Sequence, residues 1–181
     1  MRPYKFWTLI RRVFWKISNL AITVGEKTRL DLTAKLRIQD GGSITIGQNC
    51  RIHRGVIIDT HGGDIVIQDN VSLNPYCVIY GNGGVRIGRD CRIAAHTLIV
   101  ASNHGFEGRE TPIRHQPMAA EGIVIEEDVW LGGGCRIVDG CTIGRGSVVG
   151  AGSIITRDTE PFGVYVGSPA RKLRERGQSN S

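Results

Sequence analysis

Aliphatic residues recur at every sixth position along most of this chain, in six runs of three. A six-residue period is typical of a parallel β-helix, in which each flat side of a coil takes one short strand and one corner. Three such sides close a coil of about eighteen residues, so the sequence predicts an all-β fold of about six coils. The aliphatic positions are Val24, Leu30 and Leu36; Ile46, Ile52 and Ile58; Ile67, Leu73 and Ile79; Ile87, Ile93 and Ile99; Ile125, Leu131 and Ile137; and Ile143, Val149 and Ile155.

Small or β-branched residues occupy a second register, four positions after an aliphatic anchor. The narrow interior of a three-sided coil has room only for such side chains beside the stacked aliphatic residues. All five cysteines fall in this register, so we interpret them as buried, reduced packing residues and not as disulfide partners or metal ligands. The positions are Thr28, Ala34, Cys50, Val56, Val71, Cys77, Cys91, Thr97, Val129, Cys135, Cys141, Ser147 and Ser153.

The formal charge of +6 is concentrated at the two ends of the chain. Residues 1–20 contain five basic and no acidic residues, and residues 171–176 contain four basic residues and one acidic residue. The ends thus carry +5 and +3, which leaves −2 for the remainder. A body without excess positive charge is unsuited to general nucleic-acid binding, so we expect two local anion contacts and no nucleic-acid partner.

Residues 1–22 are predicted to form an amphipathic helix, because apolar residues at helical spacing alternate there with lysine and arginine. We expect it to cap the open end of the coils, to contact an anionic membrane surface through residues 1–20, or to do both. Its apolar run is too short and too charged to span a membrane, and no small-residue cleavage site follows. A cytoplasmic protein is therefore expected, with the inner membrane surface as its point of contact.

Insertions between coils fall at one corner only. Three of them end in paired glycines, Gly41-Gly42, Gly62-Gly63 and Gly83-Gly84, which predicts stacked tight turns with positive φ. A longer excursion spans residues 101–123, and such a loop in a compact solenoid is usually functional. It holds His104, the leading catalytic candidate. The predicted boundaries are 1–22 for the helix, 23–160 for the repeat domain, and 161–181 for a basic segment forming a short helix or tail.

Four motifs accompany the repeats: Asn103-His104-Gly105-Phe106 in the loop, Asp128-Val129-Trp130-Leu131-Gly132, Gly150-Ala151-Gly152-Ser153 and Gly167-Ser168-Pro169-Ala170-Arg171. With them, the chain from about residue 24 to residue 176 resembles hexapeptide-repeat acyltransferases of the galactoside and maltose O-acetyltransferase group, close to members that modify polysaccharides. The resemblance implies a left-handed parallel β-helix and a homotrimer. It also implies active sites in grooves between subunits, with acetyl-CoA as co-substrate and no metal.

The resemblance further implies a coenzyme site made of one aromatic side chain, bare backbone and basic residues. An exposed indole at Trp130 would flank the pantetheine arm, and guanidinium forks suit phosphate oxygens. The predicted coenzyme contacts are Trp130, Gly132, Gly133, Ala151, Thr156, Arg157, Pro169, Arg171, Lys172 and Arg174.

Transfer of an acetyl group to an alcohol requires a base, because a hydroxyl is a poor nucleophile until its proton is being removed. An imidazole suits this task near neutral pH, so His104 is predicted to take that proton and later to protonate the departing thiolate. By resemblance, Asn74 contacts the acceptor or the reacting carbonyl. Asn103, His96 and Arg109 are predicted to bind the acceptor, although His96 is also interpreted as a residue that merely decorates a coil face.

The predicted function is transfer of acetyl from acetyl-CoA to a sugar hydroxyl, by direct attack, during cell-surface polysaccharide biosynthesis. Arg109 and Arg114 in the loop favour an anionic acceptor. An amino-sugar N-acetyltransferase and an antibiotic acetyltransferase are alternatives that use the same groove. A zinc enzyme like the γ-carbonic anhydrases, with three converging histidines, and a noncatalytic scaffold are alternatives from other classes.

Overall fold

Short strands of successive coils lie in register and form three parallel sheets. The computed structural model describes residues 21–178. Residues 1–20 of the helix predicted over residues 1–22 lie outside the described range. Ile22, the last residue of that predicted helix, lies in the first strand. Within residues 21–178, no helix is both long enough and apolar enough to cross a membrane.

Each coil contributes three strands. The bounds are, in the first coil, β1 Ile22–Val24, β2 Arg29–Leu30 and β3 Lys35–Arg37; in the second, β4 Ile44–Ile46, β5 Arg51–Ile52 and β6 Ile57–Asp59; in the third, β7 Ile65–Ile67, β8 Ser72–Leu73 and β9 Val78–Tyr80; in the fourth, β10 Val85–Ile87, β11 Arg92–Ile93 and β12 Leu98–Val100. After an excursion with β13 Asn103–His104, a 3-10 helix Ile113–His115 and β14 Met118–Ala119, the fifth coil has β15 Ile123–Ile125, β16 Trp130–Leu131 and β17 Arg136–Val138, and the sixth has β18 Thr142–Ile143, β19 Val148–Val149 and β20 Ile154–Ile155. The last two strands are β21 Gly163–Gly167 and β22 Ala170–Glu175.

The predicted β-helix of about six coils is confirmed. Sheet 1 has the order β1-β4-β7-β10-β15-β18, sheet 2 the order β2-β5-β8-β11-β16-β19-β21-β22, and sheet 3 the order β3-β6-β9-β12-β17-β20. The hexad sets the register, because Ile52, Leu73 and Ile93 lie side by side in sheet 2. Each anchor therefore stacks on the anchor of the next coil.

The core contains both predicted registers. Every member of the small register is buried, and so are the aliphatic anchors, except that Val24 and Leu36 in the first coil are only partly buried. A third inward row was not predicted. It arises because the anchor is the last residue of each three-residue strand in sheet 1, so that the first residue, two positions earlier, also points inward. Its members are Ile22, Ile44, Ile65, Val85 and Ile123.

The corners turn through left-handed backbone conformations that repeat from coil to coil. At the corner between sheets 2 and 3, Gly55, Tyr76, His96, Gly134 and Gly152 have φ between 61° and 72°. Asparagine, aspartate and glycine tolerate this region, and they predominate at the corner between sheets 1 and 2. The residues there are Lys27, Asn49, Asn70, Asp90, Asp128, Gly146 and Phe162, with φ between 57° and 68°.

The paired glycines stack as predicted. A Cβ added at Gly42 would lie 2.3 Å from the carbonyl oxygen of Gly63, and one at Gly63 would lie 2.0 Å from that of Gly81. The prediction of positive φ holds for both residues of the first pair, but only for Gly62 and Gly84 in the other two. Close approach of neighbouring backbones, as much as φ, requires glycine here.

The long excursion protrudes as predicted. Its β13 and β14 pair antiparallel, and almost all of its side chains are exposed. Gln116 braces the tip: its Oε1 accepts from the Gly108 amide at 2.9 Å, and its Nε2 donates to the carbonyl oxygens of Gly108 at 2.8 Å and Thr111 at 2.7 Å.

The prediction of a short C-terminal helix or tail is wrong. Residues 163–167 and 170–175 form the antiparallel pair β21 and β22, which extends sheet 2 beyond the sixth coil. The edge of sheet 2 offers unpaired backbone groups that a strand can satisfy and a helix cannot. The basic C-terminal residues are therefore held on the last strand of this sheet.

Candidate active site

A column of small residues, called the trough below, runs along the corner between sheets 2 and 3. It consists of residues 94–95, 132–134 and 150–152, contributed by the last three coils. The Gly134 amide donates to the Ala95 carbonyl at 2.9 Å, and the Gly152 amide donates to the Gly133 carbonyl at 2.8 Å, so these residues lie directly above one another. A Cβ added at Gly134 or Gly152 would meet nothing within 4 Å. The trough thus offers bare, open backbone to an extended ligand.

Polar and aromatic side chains close the trough at its N-terminal end. Asn74 is partly buried, and its Nδ2 donates to the Ile93 carbonyl oxygen at 2.9 Å. A primary amide has two N–H donors, so one remains to meet a ligand. His96 stands one coil above Tyr76 and is stacked on it. The structure therefore brings Asn74 and His96 to the same end of the trough.

Trp130 projects from β16 beside the trough, as predicted. It is 55% exposed, and its register neighbours on sheet 2 are Arg92 and Val148. Gly132 and Ala151 lie in contact just beyond it, because a Cβ at Gly132 would fall 2.6 Å from the Ala151 amide nitrogen. The indole thus forms one flank of the trough, over backbone that only glycine allows to pack so closely.

The basic residues of β22 lie at the far edge of sheet 2. Nη1 of Arg171 donates to the Ala170 carbonyl at 2.9 Å, and Nη1 of Arg174 donates to the Gln178 carbonyl at 2.7 Å. Within residues 21–178 neither guanidinium pairs with a carboxylate, so both charges are available to an anion. Pro169 lies exposed in the turn between β21 and β22, after a cis peptide bond.

Lys172 differs from its neighbours because it is already paired. Its Nζ bonds to the carboxylates of Glu160 and Glu175, and the hydrogen bond to Glu160, followed by that to Glu175, raises the pKa of the ammonium above its ordinary value. A phosphate would have to compete with two carboxylates at this position. Lys172 is thus a weaker candidate for a coenzyme contact than the two arginines.

The predicted coenzyme contacts divide between two sides of the coil. Trp130, Gly132, Gly133 and Ala151 lie at the trough, whereas Thr156 and Arg157 follow β20 and are exposed at the opposite edge of sheet 3. The predicted site is therefore not assembled on one face of a single chain. A ligand in the trough of one copy meets Thr156 and Arg157 only if a second copy supplies them.

His104 lies on the protruding hairpin, away from the trough of its own chain. It is exposed on β13, in register with Met118, and its side chain makes no hydrogen bond within residues 21–178. Asn103 and Arg109 are exposed on the same excursion. The hairpin leaves the coil where sheet 3 ends, whereas Asn74 lies where sheet 3 begins. The width of sheet 3 thus separates the predicted base from the predicted carbonyl contact.

The five cysteines are free and buried, as predicted. Burial raises the pKa of the Cys77 and Cys141 thiols to about 11 and that of Cys91 to about 12. Burial likewise raises the pKa of Cys50 and Cys135. Because the thiolate is the nucleophile, none of these residues is suited to form an acyl-enzyme.

The histidines do not converge. Nε2 of His61 lies 3.8 Å from Oδ1 of Asp59, while His96 is stacked on Tyr76 and His104 stands on the hairpin. In the part of the chain that the structure describes, no three histidine, cysteine or acidic side chains come together in a geometry that would hold a metal ion.

Tyr76 is the residue of this site that the sequence analysis missed. It is 47% exposed, with φ of 63°, an unusual value for a bulky residue. The available signal was an aromatic residue two positions after Asn74, at the corner position that glycine takes in three other coils. It was overlooked because it lies outside both hexad registers.

Comparison with known proteins identifies the family of this chain. Residues 122–157 match the family described as "Bacterial transferase hexapeptide (six repeats)". The putative lipopolysaccharide biosynthesis O-acetyl transferase WbbJ of Escherichia coli is 33% identical over 146 residues, which cover 76% of this chain and 74% of WbbJ. The chain belongs to the hexapeptide-repeat transferase family.

Two further relatives of this hexapeptide-repeat transferase are acyltransferases. The dTDP-4-amino-4,6-dideoxy-D-glucose acyltransferase of Escherichia coli is 28% identical over 161 residues, 86% of this chain and 83% of the relative. The crystal structure of a mutant of AntD, an N-acyltransferase from Bacillus cereus, contains dTDP and coenzyme A. It superimposes with a TM-score of 0.76 at 25% identity, over 91% of this chain and 88% of AntD. The prediction of an acyltransferase is confirmed, and the predicted coenzyme agrees with the one bound to AntD.

Proposed function

We propose that this hexapeptide-repeat transferase moves an acetyl group from acetyl-CoA to a sugar hydroxyl in the synthesis of a cell-surface polysaccharide. The observation that carries the proposal is the trough of bare backbone that ends at Asn74, beside an exposed indole. The name of WbbJ supports O-acetylation in lipopolysaccharide synthesis, and the coenzyme A bound to AntD supports the donor.

The trough fits a coenzyme A thioester lying along the axis of the coil. From β8, which precedes Asn74, to β22 there are five strand steps in sheet 2, or about 24 Å at the usual strand spacing. An extended pantetheine arm and its pyrophosphate cover most of this distance, and the long arginine side chains cover the rest. The phosphates then reach Arg171 and Arg174, and the thioester reaches Asn74.

The reaction proceeds by direct attack. The acceptor oxygen bonds to the thioester carbonyl carbon while a ring nitrogen of His104 takes its proton. The free Nδ2 hydrogen of Asn74 donates to the oxyanion that forms, and a donor of this kind is worth about 3–4 kcal/mol to the transition state. The carbon–sulfur bond then breaks, and the imidazolium returns the proton to the thiolate.

A homotrimer is part of the proposal, because the predicted site residues of one chain lie on different sides of its coil. His104 of one copy would have to meet the trough of its neighbour. Sheet 3 supplies a surface for such contact, because Ile57, Val78 and Leu98 form an outward apolar row that is only partly exposed. A surface row of this kind is typical of a face that a partner covers.

A second candidate function is N-acylation of a nucleotide-linked amino sugar. The Escherichia coli dTDP-amino-sugar acyltransferase and AntD both favour it, since both names specify acyl transfer to nitrogen or to an amino sugar. An amine is already nucleophilic when neutral, so it would depend less on His104 than a hydroxyl does.

We also propose a cytoplasmic location, with residues 1–20 touching the inner membrane surface. Five basic residues and no acidic residues support attraction to anionic lipid. Sedimentation of the full chain with anionic vesicles, compared with neutral vesicles, tests it. Equal recovery in the supernatant of both would contradict the membrane contact.

The decisive experiment separates donor binding from acceptor identity. Calorimetric titration of the full chain with coenzyme A and acetyl-CoA should show micromolar to millimolar binding. Ala151→Trp should abolish it by filling the trough, and Thr45→Trp, on the exposed face of sheet 1, should leave it unchanged. Lack of binding by the unmodified chain would contradict an acyltransferase that uses coenzyme A.

The acceptor is then sought by release of free coenzyme thiol. Hydroxyl sugars, glycans and nucleotide-linked amino sugars are offered in turn, and products are mapped by mass spectrometry. An acetyl ester on a sugar oxygen would support the first proposal. An amide product would establish the second candidate instead.

A further inference from the structure

Two aromatic rings stand at the closed end of the trough. The ring centroids of Tyr76 and His96 are 5.2 Å apart, and their planes differ by 17°. Both residues have φ near +60°, a conformation unfavourable for side chains of this size. Both side chains are exposed, so burial in the core does not account for the stack.

Tyr76 is braced from its other side. The guanidinium carbon of Arg54 lies 5.7 Å from the centroid of the Tyr76 ring, and Gly55 lies under the ring. A Cβ at Gly55 would fall 2.4 Å from Cδ1 of Tyr76, so only glycine leaves room for the ring in this position. Arg54, Tyr76 and His96 therefore form one continuous stack that extends from the second coil to the fourth.

A similar arrangement of a ring over a glycine occurs at the corner between sheets 1 and 2. The Phe162 ring lies over Gly146, where a Cβ would fall 2.5 Å from its Cδ1, and Arg145 lies 5.2 Å from the ring centroid. Among residues 21–178, no second ring is stacked on Phe162. The combination of arginine, ring and glycine thus occurs at two different corners, whereas the additional ring of His96 occurs at the trough.

The uncovered face of His96 looks toward the trough. The next corner positions along the coil are Gly134 and Gly152, which leave open space above the imidazole. A thioester that reaches Asn74 places its acyl group beside Ala95, between the bare glycines and this ring. The first side chain that a longer acyl group meets is therefore His96, held by Tyr76.

We propose that the Tyr76–His96 stack is the end wall of the acyl site and restricts the donor to short acyl groups. This inference rests on the proposed function, since it requires a coenzyme A thioester in the trough. Each added methylene must displace a braced ring, and close-packed walls discriminate against such additions. The wall thus determines the donor, not the acceptor.

Binding of an acyl-CoA series tests the wall without knowledge of the acceptor. The full chain is titrated calorimetrically with coenzyme A, acetyl-CoA, butyryl-CoA and hexanoyl-CoA. The unmodified chain should bind butyryl-CoA and hexanoyl-CoA more weakly than acetyl-CoA. His96→Gly suits the local φ and continues the glycine column, so it should fold. It should shift the ratio of butyryl-CoA to acetyl-CoA affinity by about tenfold in favour of butyryl-CoA, the effect of two methylenes.

Two control variants separate the wall from general effects. Tyr76→Phe keeps the stacked ring and should keep the preference for acetyl-CoA. Asp90→Gly makes the same kind of change in the same coil, at the corner between sheets 1 and 2, and should leave all affinities unchanged.

Three outcomes distinguish the claims. If coenzyme A binds but acetyl-CoA and hexanoyl-CoA bind equally well, the wall does not exist, although the proposed function survives. If the preference is present but His96→Gly leaves it unchanged, another element sets the length. If coenzyme A itself does not bind, the proposed function fails, and the wall fails with it.

Discussion

The imidazole of His96 is stacked on the phenol ring of Tyr76, with centroids 5.2 Å apart and planes 17° apart. The two residues are adjacent only because the third and fourth coils are stacked: the His96 amide donates to the Pro75 carbonyl at 3.1 Å. This pair marks the end of the trough, and it gives His96 a more specific position than the acceptor contact predicted from the sequence.

Replacement of His104 by alanine should lower kcat by about 10²–10⁴-fold, because a general base contributes that much to such reactions. Binding of coenzyme A should not change, since the proposed coenzyme contacts do not include His104. Steady-state rates of thiol release at saturating acetyl-CoA measure the effect. His115→Ala, on the same exposed excursion, is the matched control and should retain normal turnover. Equal rates for both variants would show that His104 is not the base.

Replacement of Ile125 by aspartate should lower the free energy of unfolding by about 4 kcal/mol or more, because an unpaired charge would enter the core. Ile125 is fully buried, whereas Val124, its neighbour in β15, is 38% exposed. Val124→Asp should therefore cost less than about 1 kcal/mol. Urea unfolding followed by circular dichroism compares the two. Similar losses would contradict the inward and outward assignment of β15.

Loss of Arg171 or Arg174 should weaken coenzyme A binding about tenfold each, because hydrogen bonds to a charged phosphate are worth about 1.5–3 kcal/mol. Calorimetric titration of Arg171→Ala and Arg174→Ala measures the effect. Arg176→Ala is the control, since Nη1 of Arg176 is already 2.7 Å from Oδ2 of Asp128. A uniform effect of all three variants would indicate general electrostatics instead of specific phosphate contacts.

The molecular mass measured by sedimentation should be three times the chain mass of 19.8 kDa if sheet 3 forms the proposed trimer contact. Leu98→Asp places a charge within the apolar row and should produce monomers. Thr45→Asp, on the exposed face of sheet 1, should leave the trimer intact. Analytical ultracentrifugation at several concentrations decides, and a monomer at all of them would contradict a site shared between copies.

Stability should fall as the pH rises from about 9 toward 12. Burial raises the pKa of the Cys91 thiol from 9.0 to about 12, so the folded chain holds this proton over a range in which the unfolded chain releases it. The stabilising contribution is complete below pH 9 and is lost as the pH approaches 12. Urea unfolding at pH 7 and pH 10 measures the decrease.

The cysteine prediction has its own control. Cys91→Ala should show a smaller decrease between the two pH values than the unmodified chain, because one titrating thiol is missing. An identical pH dependence would mean that Cys91 does not contribute to it.

The hexad alone established the three-sided coil, the number of coils and two registers of inward residues, because side-chain direction along a short strand depends only on local alternation. The interruption by residues 101–123 and the motifs around Trp130 and Ala151 were likewise visible as local patterns. The glycine pairs could be assigned to one corner for the same reason, since insertion lengths are counted along the chain.

The tertiary structure decided which corners meet and which residues share a surface. Ala95 and Gly133 are neighbours across the long excursion, and Tyr76 meets His96 one coil away. Insertions of different length separate the coils in sequence, so spacing along the chain does not show which residues are neighbours. Backbone hydrogen bonds between coils determine this, and the same kind of pairing places residues 170–175 at the edge of sheet 2 as a strand. Contacts between coils depend on this long-range pairing, so the trough and its end wall could be recognised only in three dimensions.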